Sequence, residues 1–268
     1  MKITRLAFHG AVTAALLLAA PCWGADASAK AGADSVRVPV GSAATVRGGQ
    51  WDVGVVSPLR VGVSDRVQIS TQAVTVWIYP HVDLQYRWLQ YGQLTLAARL
   101  RLAYPTLLLH NVAREGSLGL LPPTSKIPPM LGVHGELLAT QPINPWHGVT
   151  SSIMVSTAPR LGESNFPVLD FPFLYSRFAH TKTLATWHFG VAFHGFIGTA
   201  FSYWTDITYS LLPLPELRGG FATEQSAFIG WHFARHWVVR AGERVSVAHL
   251  PVGLRMHYLP VLDLRVGF

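Results

Sequence analysis

Charge is scarce in this chain. Asp, Glu, Lys and Arg together make up 13% of its 268 residues, about half the share of an ordinary soluble domain. That argues against a surface facing water on all sides. Long apolar runs are absent as well. None reaches the roughly 18 residues that a membrane-spanning helix needs. The longest runs from Ala11 to Ala20, broken only by Thr13. Cysteine occurs once, as Cys22, so no internal disulfide is available. Lysine is rare: of 21 basic residues only Lys2, Lys30, Lys126 and Lys182 are lysines.

Apolar and aromatic residues are plentiful. Half the residues are hydrophobic, with 9 Trp, 8 Tyr and 13 Phe, and the mean hydropathy is +0.29. Disordered chains are poor in such residues and rich in charge, so disorder is excluded. A membrane-like composition without a spanning helix has one structural solution. A closed transmembrane β-barrel satisfies every backbone polar group within its own wall.

Residues 1–27 read as a secretory signal peptide. Lys2 and Arg5 form a basic start, Ala11–Ala20 is an apolar stretch too short to span, and Ala25-Asp26-Ala27 is a cleavage site, with Gly24 as an alternative. Cleavage in 24–27 removes Cys22, so the exported chain needs no disulfide in an oxidising compartment. Residues 28–50 are small and polar and read as a flexible lead-in. The barrel is expected over 51–268.

From Trp51 onward the pattern alternates with period 2. Val82, Leu84, Tyr86 and Trp88 interleave with His81, Asp83, Gln85 and Arg87. Leu94, Leu96, Ala98, Leu100 and Leu102 alternate with Thr95, Arg99 and Arg101. The same rhythm holds around Trp187–His194, Ser226–Phe233 and Trp237–Gly242. Ser64-Asp65, Tyr91-Gly92 and Arg235-His236 mark turns. Residues 116–132, 141–146, 158–170 and 211–220 are expected loops. Cleavage after Ala27 leaves 241 residues. At about 9–11 residues per spanning strand and a similar length per connection, about 12 strands fit, with 10–14 allowed. The expected fold is therefore all-β: a single antiparallel transmembrane barrel.

The chain ends on Phe268, with Val266, Leu264, Leu262 and Tyr258 preceding it on the same face. This resembles the terminal assembly signal of bacterial outer-membrane β-barrel proteins. The resemblance implies the outer membrane of a Gram-negative bacterium, with outer-membrane lipid and the barrel-assembly machinery as partners. Pro260 departs from the pattern because it removes a ladder donor.

If the aromatic face meets lipid, the opposite face lines a lumen. The inward set is Asp83, Arg87, Arg99, Arg101, Glu224, Arg240, Arg244, Arg255, Asp263 and Arg265, with Glu136 and imidazoles from His134, His188, His194, His232 and His257. Arg keeps its charge and holds carboxylates through a planar fork. Such a set either braces a closed lumen or lines a pore favouring small anionic solutes. The function expected is a porin or small-solute channel without a cofactor. The alternatives are a membrane-embedded enzyme acting on lipid or peptide, and a closed barrel with a structural or surface-interaction role. Nucleic acid is not an expected partner, because the basic residues are scattered rather than clustered. No catalytic motif is recognised. No metal site is expected either: there is no HExxH, and His188 and His194 stand about 20 Å apart along one strand.

A closed barrel resists detergent until heated. Boiled and unboiled samples should therefore migrate differently on a denaturing gel, and identical mobility would count against a barrel.

Overall fold

The computed structural model describes residues 37–115, 119–167, 175–213, 220–250 and 253–268. The expected signal peptide, 1–27, lies outside them. Twelve antiparallel strands close into one barrel. In chain order they are β1 (Trp51–Gly54), β2 (Leu59–Ser64), β3 (Val67–Thr71), β4 (His81–Tyr91), β5 (Leu94–Ala103), β6 (Gly132–Pro142), β7 (His147–Thr157), β8 (Thr186–Ile197), β9 (Phe201–Leu212), β10 (Gly220–Ala234), β11 (Trp237–Leu250) and β12 (Gly253–Gly267). Each strand pairs with its neighbours in sequence, and β12 pairs with β1.

An even strand number puts the start of β1 and the end of β12 at one end of the barrel. The tight reversals at 65–66, 92–93, 143–146, 198–200 and 235–236 lie at that same end. The long connections, 72–80, 104–131 and 158–185, lie at the other. The expected turns at Ser64-Asp65, Tyr91-Gly92 and Arg235-His236 all fall between paired strands.

Alternation decides the faces. On β4, Val82, Leu84 and Tyr86 are exposed, while Asp83 and Gln85 between them are buried. On β8, Trp187 and Phe193 are exposed and His188 and His194 buried. Large apolar side chains outside and polar ones inside invert the arrangement of a soluble protein, as a lipid-facing barrel requires. A register shift between Arg87 and Leu89 absorbs Trp88 as a bulge and keeps the face beyond it outward.

Two features depart from the sequence reading. The connection after β5 contains a helix, α1 (Pro105–Val112), with Pro105 in its first turn where no backbone donor is needed. Its Leu109 joins Leu121, Ile127, Met130, Phe166 and Phe178 in a small apolar cluster at the long-connection end. Much of the expected loop 116–132 is thus packed. The lead-in is also packed where it is described. Residues 38–46 run inside the barrel, with Ser42, Ala43 and Val46 fully buried.

The β1–β12 seam closes the barrel. Trp51 and Phe268 exchange two backbone hydrogen bonds, each 2.8 Å. The Phe268 ring stacks on His236 at 4.5 Å and lies 5.3 Å from Trp51. Above this seam the wall is low. β1, β2 and β3 hold 4, 6 and 5 residues, whereas β12 holds 15, so the paired register of β1 and β12 covers only Arg265–Gly267 of β12. Pro260 belongs to the part beyond. Phe268 directs its N–H and Leu264 its carbonyl toward β1, while the Gly267 N–H goes to His236. By alternation, the donor missing at Pro260 would have pointed to the side without a partner. Proline there removes a bare edge donor and costs the sheet no ladder bond.

Leu100 faces outward at mid-strand, opposite Leu84 and Gly135. Thr95 shares the inward face with the buried Ala97. Leu100→Arg should cost about 2–4 kcal/mol, and Thr95→Arg clearly less. Urea unfolding of the folded protein in lipid checks the order, and reversed sensitivities would exchange the two faces.

Candidate functional site: the lumen

At the end of the barrel that holds the tight reversals, the described residues 38–46 bring backbone rather than large side chains into the lumen. Residues 38–46 are short, so their own amides and carbonyls reach the wall. The Ala43 N–H donates to Thr140 Oγ1 at 2.8 Å and the Val46 N–H to Gln68 Oε1 at 2.9 Å. Gln85 Nε2 donates to the carbonyls of Ser42 and Ala44, both at 3.1 Å. Thr45 Oγ1 donates to the Asp65 carbonyl. Ala43 packs on Ala97 and Leu138. Gly41, with φ of 88°, lies against the Trp204 ring, where a Cβ would come within 3.3 Å. A cavity of about 40 Å³ remains between residues 37–40 and the β8–β12 wall, room for water but not for a solute.

Below this plug lies the tightest ionic cluster. Asp52 accepts from Arg60 at 2.7 Å and from Arg265 at 2.8 Å, and both guanidinium groups also donate to the Val38 carbonyl. Nearby, Asp263 accepts from Val56 N at 2.8 Å and from Ser57 N and Oγ at 3.2 and 2.5 Å. Toward the other end the pairs are Arg101–Asp83 at 2.5 Å, Arg99–Glu136 at 3.1 Å and Arg177–Glu224 at 3.2 Å. Exposure rises along this axis. The Asp52, Arg60 and Arg265 side chains are 0%, 3% and 4% exposed, against 34% for Arg101 and 50% for Arg177. The guanidinium groups toward the long-connection end thus reach solvent, although their carboxylates Asp83 and Glu224 are only 6% and 12% exposed, while the cluster beside the plug is dry.

Imidazole–hydroxyl pairs form rungs between neighbouring strands. His134 Nδ1 meets Ser156 Oγ and His188 Nδ1 meets Ser210 Oγ, both at 2.7 Å. His194 Nε2 meets Thr150 Oγ1 at 3.0 Å and His232 Nε2 meets Ser202 Oγ at 2.9 Å. His194 also stacks on Trp204 at 5.2 Å. A Ser–His pair is the start of a nucleophilic site, but Ser156 and Ser210 are 1% and 2% exposed. Neither hydroxyl is open to solvent, whereas Ser202, beside His232, is half-buried.

The inward set read from the sequence divides into these groups. Arg87 donates to the Asp65 carbonyl at 2.7 Å. Arg244 donates to Ser226 Oγ and Arg240 to Ser57 Oγ, each at 3.2 Å. Arg255 is exposed near the long-connection end of β12. Arg99 and Arg101 meet carboxylates on adjacent strands in register, not across the lumen. Tyr258, Leu262, Leu264 and Phe268 of the terminal signal are exposed on the outer face. Sequence reading missed Asp52 and Arg60, which sit on strands too short to show a long alternation, and Asp206, which accepts from Trp204 Nε1 at 2.6 Å. It also missed the long-connection groups. Burial raises the Tyr79 phenol and pushes the His180 imidazole down to about 4.

No protein-family model matches this sequence, and no curated protein matches it. Among solved structures it is similar to the KdgM porin in complex with disordered oligogalacturonate, with TM-score 0.39, 8% identity, and coverage of 81% of this chain and 94% of that one. It is also similar to OccK8 (OprE) of Pseudomonas aeruginosa, with TM-score 0.36, 8% identity, and coverage of 79% and 56%. A high-pH structure of OprB of Pseudomonas putida gives TM-score 0.36, 10% identity, and coverage of 82% and 59%. The chain spans less than two thirds of the length of these last two.

Asp52→Asn would leave Arg60 and Arg265 buried without their carboxylate. It should cost about 3–5 kcal/mol, while Arg177→Gln at the solvated end should cost under about 1 kcal/mol. Equal losses in urea unfolding midpoints would mean that the dry cluster carries no special weight.

Proposed function

We propose that this protein is an outer-membrane channel for small solutes, gated by its own N-terminal segment and biased toward anions. The observation that carries the reading is the division of the lumen. A polar, solvated wall leads inward from one end and stops at a single strip of chain held mainly by hydrogen bonds. A lumen meant only to be filled needs large side chains, as in barrels of about eight strands. Here the strip is small at Gly41, Ala43 and Ala44 and lies against the wall residues Ala97, Leu138 and Trp204, so its displacement would widen the lumen at that end.

The anion bias follows from the charges left over. Among the described residues, Arg240 and Arg244 have no carboxylate within ion-pair distance and Asp206 and Asp263 no guanidinium, so these offset one another. The excess of positive charge rests on Asp52 facing both Arg60 and Arg265 and on Arg87, whose partner is a carbonyl. Fixed positive charge on a pore wall lowers the barrier for anions. The terminal strand signal and the apolar outer face support placement in the outer membrane, with lipid and the barrel-assembly machinery as partners. The reading requires no enzymatic step and no cofactor. The second reading, a closed and braced barrel, is favoured by the seating of residues 38–46 alone.

Planar-bilayer recording separates the two. Deleting Pro39–Val46 should raise single-channel conductance several-fold over the parent chain. Coupling Ala43→Cys to Leu138→Cys should suppress openings until a reductant is added. Reversal potentials in a KCl gradient should show anion preference, stronger in dilute salt because the Debye length is about 10 Å at 0.1 M and about 3 Å at 1 M. No conductance from either the parent or the deletion variant would overturn the channel reading and leave the braced barrel.

A further inference from the structure

At the long-connection end, two imidazoles converge without a partner between them. His134 stands on the inward face of β6. His180 comes from a 3-10 turn, Ala179–Thr181, in the connection between β7 and β8. Their rings meet edge to face at 4.7 Å. Both residues are buried, 6% and 1% exposed. Both Nε2 atoms are buried with no hydrogen-bond partner.

The other nitrogen of His134 is engaged: its Nδ1 meets Ser156 Oγ at 2.7 Å. Wherever the proton of such a ring is held on Nδ1, Nε2 is left with a bare lone pair. Metal-binding histidines are prepared in this way, with the outer nitrogen fixed by a second partner.

The two Nε2 atoms border one space. A Cβ built on Gly132 would lie 3.3 Å from His180 Nε2 and 3.4 Å from His134 Nε2. Glycine at 132 keeps that space open. Nearby imidazoles do not compete for it. His188 engages Thr186 Oγ1 and Ser210 Oγ, and His81 engages the Gln72 N–H and the Tyr79 carbonyl. Among the described residues, no group of three His, Cys, Asp or Glu could hold a metal, so protein ligands number two and water supplies the rest.

We propose that His134 and His180 form a two-imidazole site for a borderline transition-metal ion, of the class of Cu²⁺ or Zn²⁺, which fastens the β7–β8 connection to the barrel wall. Imidazole nitrogen suits these ions. Bonds of about 2.0–2.1 Å to each nitrogen draw the two rings together, a movement that the 3-10 turn can supply because it lies outside the strand ladder. The site itself stands apart from the channel reading. Only its consequence rests on that reading: the bound ion would hold the connection over the solvated mouth and lower conductance.

The test uses tag-free, folded protein in detergent. Equilibrium dialysis against Zn²⁺ or Cu²⁺ with elemental analysis should give one saturable ion per chain. His180→Ala lies in a connection and leaves the strands intact, and it should weaken binding at least tenfold. His134→Ala should do the same. Gly132→Val keeps both imidazoles and fills the space between them, so it too should lose the ion. His188→Ala should bind as the parent does. Heat-modifiable migration verifies that each variant is folded. Absence of saturable binding by the parent overturns the site, as does unchanged binding by a folded His180→Ala. Metal binding is read without conductance, so a silent barrel that binds one ion rejects the channel and keeps the site.

Discussion

One constraint underlies the architecture: backbone N–H and C=O groups facing lipid must find partners within the sheet. For a chain that crosses the bilayer with strands, this forces closure, and closure depends on whichever pair of strands meets last in sequence. Here that pair is β1 and β12, and the contact is brief. Its backbone bonds are supplemented by the Trp51–Phe268–His236 aromatic cluster outside and by Asp52 with Arg60 and Arg265 inside. Asp52 therefore joins three strands, since Arg60 belongs to β2 and Arg265 to β12. The same two guanidinium groups hold the Val38 carbonyl, so closing the wall and seating the plug use one set of charges.

The rest of the lumen follows from what a narrow polar interior can accommodate. Arg101–Asp83 and Arg99–Glu136 lie in register on adjacent strands, so each charge meets its partner along the wall. The His–Ser and His–Thr rungs do the same for neutral groups. Among the described residues, the strip 38–46 lies inside the wall, and Arg240–Ser57 and Arg177–Glu224 are contacts that reach beyond neighbouring strands.

Much of the wall was legible in the sequence, because period-2 alternation over ten or more residues has few other readings. Val82–Trp88, Leu94–Leu102 and Trp187–Phe193 each announce a face. The outward and inward assignments of Leu100 and Arg101 follow from that alone. Legibility failed where strands are short. β1 and β2 offer two or three alternations each, so Asp52 and Arg60 carried no signal. It failed again where partners are remote: His134 and His180 are brought together only by the fold of a connection, and no local spacing reports it. The segment 28–50 read as a flexible lead-in because its residues are small. In a lumen, small size is what allows a chain to lie inside. The helix α1 gave no comparable signal: Pro105 suits a first helical turn, but eight residues are too few to show a helical face.

The low stretch of wall at β1–β3 has a consequence for the outer surface. A strand of 5 or 6 residues, tilted as in other barrels, covers roughly 15 Å of height, while the apolar band of such barrels is about 25 Å tall. β10 and β12 exceed that height on the neighbouring arc. The hydrogen-bonded wall is therefore uneven around the circumference, and beside β1–β3 the exposed Val55, Val56, Val74, Trp77 and Ile78 of the adjoining connections continue the apolar surface in place of strands. Backbone in the 72–80 connection has no ladder to use, and local bonds do that task instead: the Thr75 and Val76 N–H groups donate to the Gln72 carbonyl, and the Ile78 and Tyr79 N–H groups to the Thr75 carbonyl. On that arc the outer surface is closed by turns rather than by a ladder.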